Sequence, residues 1–568
     1  MNTSIKNKWK NLSKLSKILL ILILILTPSV IIGLSSITIS NPRKRTYMVE
    51  MRDGVTLATD IYLPKSDGPF PFILYRTPYG KKEAKGLAET LLQYDIGFAA
   101  QDHRGCHDSK GDYTIFGSDG QDALDTVLWM KEQPWFNGIY ATQGGSARGI
   151  TQYQQVPYLD DIQCQNIVVA TPNLYDQGIF YNGVPRKMLA KNWLKGIDQG
   201  EHYEDIFKHP LGNDIWAREH RIDEWEWDNV TWPSIHTGGW YDVFCQGILD
   251  GFMGYQYKGG EGGAGNAKLI MGPWTHGIND NHSGELVYPN ANSAPYATDL
   301  YEALFAEKLL RLTDYGNYQD YPNVIYYVMG DVTEKSDTWN RWATSEVYPI
   351  PYINQTWYFH SDNRLSSQKP VHSSSKNYIV DPTNPVETLG GTNLIGSNRG
   401  PYDQRPVETN RSDIIHFEYT VQDPIHLSGR IYSKLYVKSN CTDTDFTVKI
   451  SDVYPDGRVM LICDGIARTR YREGRNKSLL MDGDKEKIYE INVDLWSTNY
   501  VFNTGHKIRV SISSSNYPRF DVNPNTGAEI KPFGDDSQYY HANNSIIIDP
   551  SYPSSMIFPI PLSKPNFI

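Results

Sequence analysis

The sequence predicts an α/β core followed by an all-β module, and three observations carry that prediction. Between Tyr47 and about Ile350, short apolar runs alternate with stretches of helical period. A stretch from about 172 to 232, rich in Trp, Tyr, His and acids, interrupts the alternation. Beyond Pro351 only strand-like runs remain, separated by Asn, Asp, Gly and Pro turns. At 568 residues the chain exceeds what one core supports. The expected organisation is an N-terminal segment over 1–40, an α/β body over 41–350 with an inserted cap at about 172–232, and a sandwich or jelly roll over 351–568.

Taken in order, Asp53-Gly54 reads as a hairpin turn, with Thr56 to Tyr62 returning. Phe70 to Tyr75 and Ile96 to Gln101 are buried strands, ending at Arg76-Thr77-Pro78-Tyr79-Gly80 and Asp102-His103-Arg104-Gly105. Ala123, Val127 and Met130, with Leu124 and Leu128, give Asp119 to Lys131 a helical period. Ile139 to Gln143 is a strand running into Ser146, and Ile150 to Val156 continues as a helix. Strands follow at Ile167 to Ala170, from Ile235, and at Lys268 to Met271. Alternating strands and helices build a mostly parallel sheet covered on both faces. In the C-terminal module Ile431 to Val437, Phe446 to Ser451, Ile488 to Val493 and Lys507 to Ile512 are the clearest strands.

A net charge of −11 leaves no basic footprint for nucleic acid. The five cysteines show no CxxC pair and no zinc spacing, and a Cys441–Cys463 disulfide is compatible with an oxidising compartment; the sequence implies no metal or organic cofactor. Cys106 reads as a buried thiol. At the N-terminus, Lys6, Lys8, Lys10, Lys14 and Lys17 precede a charge-free stretch from Ile18 to Ser40. Its length fits a membrane anchor with a cytoplasmic N-terminus. Pro28 and the Gly33-Leu34-Ser35 triplet fit a cleaved signal peptide instead. Either reading puts the body outside the cytoplasm, anchored or secreted.

Three segments offer a catalytic constellation: Gly144-Gly145-Ser146-Ala147-Arg148-Gly149, Gly238-Gly239-Trp240-Tyr241-Asp242 and Gly272-Pro273-Trp274-Thr275-His276. A serine hydroxyl is a poor nucleophile until a base takes its proton. A sharp strand-to-helix turn presents it, and Gly144 and Gly149 tolerate the crowding, here with GxSxxG spacing. His276 is the candidate base and Asp242 the acid that fixes its tautomer. Asp242 also fits a helix N-cap, and Asp250 is the rival acid. The order Ser, Asp, His is that of α/β-hydrolases. For the oxyanion, the N–H of Ala147 is one donor. Tyr79, ending a strand at the same edge, is the candidate for the other, against the plainer reading of a packing residue.

At these residues the chain resembles the CocE/NonD hydrolase family. The likeness extends to Met51-Arg52-Asp53-Gly54-Val55, Gln133-Pro134-Trp135, Val328-Met329-Gly330 and Ser514-Ser515-Asn516-Tyr517-Pro518-Arg519-Phe520. It implies an α/β-hydrolase core, a helical cap and a C-terminal jelly roll, with Ser146 as nucleophile, Asp242 and His276 as partners and Tyr79 as oxyanion donor. The family usually carries tyrosine after the serine, where this chain has Ala147. The resemblance implies hydrolysis of a small ester or amide, or of a peptide substrate, through an acyl-enzyme. X-Pro dipeptidyl-peptidase and a non-catalytic extracellular binding protein are the alternatives. Family members acting on α-amino acid esters place acids after the catalytic aspartate, whereas Val243-Phe244-Cys245-Gln246 stand here. An X-Pro peptidase needs carboxylates in the cap, for which Glu201, Glu204 and Asp205 are the candidates.

Overall fold

The computed structural model describes residues 43–568 except 313–315, 395–397 and 535–536. The expected anchor or signal segment over 1–40 therefore lies outside the described residues. Among those described, no helix is long and apolar enough to cross a membrane.

The N-terminal domain is built on one sheet. Its strands are β1 (Arg43–Glu50), β2 (Thr56–Leu63), β3 (Phe70–Thr77), β4 (Gly97–Asp102), β5 (Phe136–Gly145), β6 (Gln165–Val168), β7 (Ser234–Gly239), β8 (Ala267–Gly272), β9 (Val324–Val328) and β10 (Arg341–Ser345). Their spatial order is β1-β2-β4-β3-β5-β6-β7-β8-β9-β10. Strands β3 to β9 run parallel, while β1, β2 and β10 pair antiparallel at the edges. Every residue of β4, β7, β8 and β9 is buried, as expected where helices cover both faces. The helices that matter for the site are α1 (Asp119–Lys131), α2 (Ala147–Gln154), α3 (Lys187–Gly196) and α4 (Cys245–Lys258). Helix α1 buries the predicted Ala123, Val127 and Met130, whereas Leu128 faces out.

Between β6 and β7 the chain leaves the sheet and folds as a cap, with α3 and several short helical turns. The C-terminal domain is a two-sheet, jelly-roll-type sandwich. Its smaller sheet orders Ile415–Thr420, Lys507–Ser513, Asp445–Val453 and Val459–Arg468. Its larger sheet is organised around Ile425–Ser439, which pairs with Tyr489–Phe502 along nearly its whole length. The final strand, Asn566–Phe567, returns to pair with β10 of the first sheet.

The domains meet through backbone and charge. Met329 N–H donates to Asn499 C=O at 3.0 Å, and Val501 N–H to Met329 C=O at 2.9 Å. Beside that seam the buried His506 faces Asp452 through Nδ1 at 2.9 Å and Asp331 through Nε2 at 3.6 Å. All five cysteines are free and buried, so Cys441 and Cys463 form no disulfide. Burial pushes the Cys106 thiol up to about 12, which keeps it an inert packing group.

Burial alone would lower the His506 pKa, but the Asp452 hydrogen bond and the charges of Asp452, Asp331 and Glu334 raise it on balance. A raised histidine stabilises fully below the ordinary imidazole value of about 6.5, and that stabilisation fades as pH climbs through the folded-state value. Wild-type denaturant midpoints should therefore fall as pH rises above about 6.5. His506→Asn should flatten that dependence, and an unchanged slope would exclude His506 as its source.

Candidate active site

Ser146 sits between β5 and α2 with φ 59° and ψ −128°, an unfavourable backbone for a residue with a Cβ. Local hydrogen bonds hold it there. Its N–H donates to Val168 C=O at 2.9 Å, and its C=O accepts from Gly149 and Ile150 N–H at 2.8 and 2.9 Å. The flanking glycines are required by space. A Cβ on Gly144, at φ 149°, would stand 2.7 Å from Arg148 Cβ; one on Gly149 would stand 2.6 Å from Ala170 Cβ. Both predicted elbow glycines are thus tied to the turn.

His276 Nε2 lies 2.8 Å from Ser146 Oγ, and His276 Nδ1 lies 2.6 Å from Asp242 Oδ2. Asp242 is wholly buried, and its Oδ1 accepts the Phe244 N–H at 2.8 Å. The same carboxylate thus faces the histidine and closes the turn before α4, although the N-cap position of that helix is Phe244 and not Asp242 as the alternative reading expected. Asp250 is engaged elsewhere, accepting from Gln246 and facing Arg430. The acid and base loops brace each other. Trp240 N–H donates to Gly272 C=O and Tyr241 N–H to Trp274 C=O, both at 2.9 Å. A Cβ on Gly239 would meet Trp274 O at 2.2 Å, so the strand ends approach closely only because that position is glycine.

Tyr79 follows β3 at the same carboxyl edge, its hydroxyl accepting from Trp193 Nε1 at 2.9 Å. Burial raises its phenol pKa, opposed by hydrogen bonds with Trp193 and Ser146 and by the Arg148 charge. Ala147 is buried at the start of α2, where first-turn N–H groups have no intrahelical acceptor.

A cavity with about 480 Å³ of atom-free space opens on Ser146. Its walls are Ile115 and Phe116, cap residues Leu174, Ile179, Leu189, Trp193, Leu194 and Ile206, and Phe244 with Leu394. None of the lining residues is acidic or basic. Glu201 is exposed, Glu204 lines a separate groove, and Asp205 pairs with Lys208 and His202, so the three do not converge on Ser146.

Sequence reading missed Arg186. Wholly buried at the start of α3 in the cap, it donates to the carbonyls of Gln177, Val243 and Thr392, and its guanidinium carbon lies 5.3 Å from the Trp496 ring centroid. It joins cap, acid loop and C-terminal domain, and no local pattern signals contacts so distant in sequence. Asp331, Glu334 and His506 offer ligand-type atoms within 4.8 Å of one another. They lie at the domain seam, outside the cavity lining; His506 pairs with Asp331, and Glu334 accepts from Asn503 Nδ2 at 2.7 Å.

Residues 53–206 and 187–278 match the family model described as X-Pro dipeptidyl-peptidase (S15 family). Residues 316–557 match the X-Pro dipeptidyl-peptidase C-terminal non-catalytic domain. Cocaine esterase of Rhodococcus sp. (strain MB1 Bresler) is 30% identical over 580 residues, covering 90% of this chain and 97% of the relative. Among solved structures, an α-amino acid ester hydrolase superposes with a TM-score of 0.75 at 21% identity, covering 94% of this chain and 99% of that one. An aminopeptidase from a marine sediment Thaumarchaeota archaeon superposes with a TM-score of 0.75 at 20% identity, covering 94% and 98%.

Gly144→Ala should lower the unfolding free energy by about 2 kcal/mol, because it adds both a clash and an unfavourable φ. Urea unfolding of Ser146→Ala with and without the glycine change measures this without catalysis. A cost below about 0.5 kcal/mol would mean that the elbow relaxes freely.

Proposed function

The chain belongs to the CocE/NonD family of serine hydrolases, and we propose that it cleaves carboxyl esters with compact apolar acyl groups through an acyl-enzyme on Ser146. The observation that carries this reading is the continuous Asp242–His276–Ser146 hydrogen-bond chain opening on a cavity without charged lining residues.

The distances support the following proposed mechanism. Ser146 Oγ attacks the ester carbon while His276 Nε2 takes its proton across 2.8 Å. The carbonyl π pair moves to oxygen, which receives hydrogen bonds from the Tyr79 hydroxyl and the Ala147 N–H. Asp242 keeps Nδ1–H of His276 engaged and stabilises the imidazolium. As the tetrahedral state collapses, the carbon–oxygen bond to the alcohol breaks and His276 protonates the departing alkoxide. Water then enters by the reverse sequence, with His276 as base, and releases the acid.

The cavity argues the acyl preference. Apolar walls stabilise an acyl chain or ring at about 25 cal/mol per Å² removed from water. They offer no carboxylate to a substrate ammonium, whose unpaired burial is costly. An X-Pro dipeptidyl-peptidase must hold such an amine, so the lining supports the esterase over the peptidase branch. For location, the lysine-led apolar stretch before Ser40 supports a body held or released outside the cytoplasm.

Short-chain and aromatic-acyl nitrophenyl esters should turn over faster than an Ala-Pro anilide. Ser146→Ala should lose roughly 10⁴-fold or more and Asp242→Asn about 10²–10⁴-fold in kcat. Faster anilide cleavage would move the chain to the peptidase branch; ester turnover unchanged in Ser146→Ala would remove Ser146 as nucleophile. In intact cells the body should be cut by added protease or recovered from the medium. Protection until lysis would overturn the proposed location.

A further inference from the structure

We propose that Arg148 is a positioning residue for the oxyanion site, holding and polarising the Tyr79 phenol. The inference deepens the esterase reading and rests on Tyr79 acting as an oxyanion donor.

Arg148 lies in the first turn of α2, two residues after the nucleophile, and its side chain is 12% exposed. Its Nε donates to Gly145 C=O at 3.2 Å, which turns the guanidinium back over the elbow. Nη1 donates to the Tyr75 hydroxyl at 2.8 Å and lies 3.5 Å from Glu83 Oε2. The guanidinium carbon sits 5.6 Å from the Tyr79 ring centroid and 5.9 Å from that of Tyr75, within cation–π range.

The surrounding groups make one connected frame. Glu83 Oε1 accepts from the hydroxyls of Tyr75 and Thr77, and Thr77 Oγ1 accepts the Tyr79 N–H at 3.1 Å. Arg148 therefore reaches Tyr79 twice, over its ring directly and to its backbone through Glu83 and Thr77.

The charge sense is favourable. As the carbonyl oxygen becomes negative, Tyr79 O–H strengthens its donation and its own oxygen gains negative character. A cation beside the ring stabilises both changes, and apolar walls nearby limit screening by water. Glu83 opposes this, but it acts on the Tyr79 phenol less strongly than Arg148 does.

A purely structural role makes a different prediction, because pinning the elbow would affect Ser146 whatever residue stands at 79. The test is a double-mutant cycle on a nitrophenyl ester, with folding checked by circular dichroism and thermal midpoint. Arg148→Met should lower kcat about tenfold with KM changed less than threefold, a fraction of what losing a whole oxyanion donor costs. In a Tyr79→Phe background the same change should cost less than threefold. Arg148→Lys, which keeps the charge and avoids any misfolding of the Met variant, should recover at least half of the lost activity.

An equal loss in both backgrounds would assign Arg148 to the elbow alone and overturn the inference. So would a wild-type rate in Arg148→Met, or an Arg148→Lys no better than Arg148→Met. If Tyr79→Phe by itself costs nothing, the oxyanion premise fails and the inference fails with it. Activity surviving Ser146→Ala marks the separate failure of the esterase site.

Discussion

The site depends on a single constraint, a serine held at positive φ between strand and helix. That conformation costs about 1–3 kcal/mol and persists only when its surroundings over-determine it. Here they do. Val168 C=O fixes the serine N–H from β6, and two helix amides close on its carbonyl. Glycine at 144 and 149 removes the side chains that would otherwise collide with Arg148 and Ala170. The same strained turn sets Ser146 Oγ within 2.8 Å of His276 Nε2 and starts α2 at Ala147, the geometry that the proposed mechanism uses.

Once the serine is fixed, the other groups must arrive from separate strands with sub-ångström agreement. Crossed backbone hydrogen bonds between the β7 and β8 loops set Asp242 and His276 as one unit. Arg186 secures that unit from above, because it binds the carbonyl after Asp242 while also binding the cap and the C-terminal domain. Sheet, cap and sandwich are consequently joined at a buried cation that binds the carbonyl of Val243, the residue after Asp242. The C-terminal strand Asn566–Phe567, hydrogen-bonded to β10, is a second tie between the two domains.

What could be read in sequence follows from how local each signal is. Ser146, Asp242 and His276 each end a strand-like run and carry glycine or aromatic punctuation, so their placement was legible residue by residue. Alternation and turn residues likewise exposed the β module. Tyr79 was different: a strand-end tyrosine is usually a packing residue, and only the family resemblance lifted it. Arg186 and Leu394 were illegible because their contacts join segments far apart in the chain. The return of Asn566–Phe567 to the first sheet was hidden for another reason, since two residues give too short a run to show a period. The Cys441–Cys463 pairing compatible with spacing failed because disulfides depend on where side chains meet, and these two cysteines stay free in the structure.

The apolar cavity is the point at which the proposed specificity and the proposed catalysis converge. A pair of unit charges 5–6 Å apart interacts by less than about 1 kcal/mol in water, but by about 3 kcal/mol at an effective dielectric of 20. In the proposed mechanism, the walls that would favour an apolar acyl group would therefore also strengthen the influence of Arg148 and Tyr79 on a developing oxyanion. The same environment makes any uncompensated charge expensive, which is why the buried ions nearby have partners. Arg148 has Glu83 and Tyr75, Asp242 has His276 and the Phe244 amide, and Arg186 has three carbonyls. A substrate bringing its own ammonium would enter this setting without such a partner. Under the proposed function, selectivity against amines is then a physical consequence of the same apolar lining.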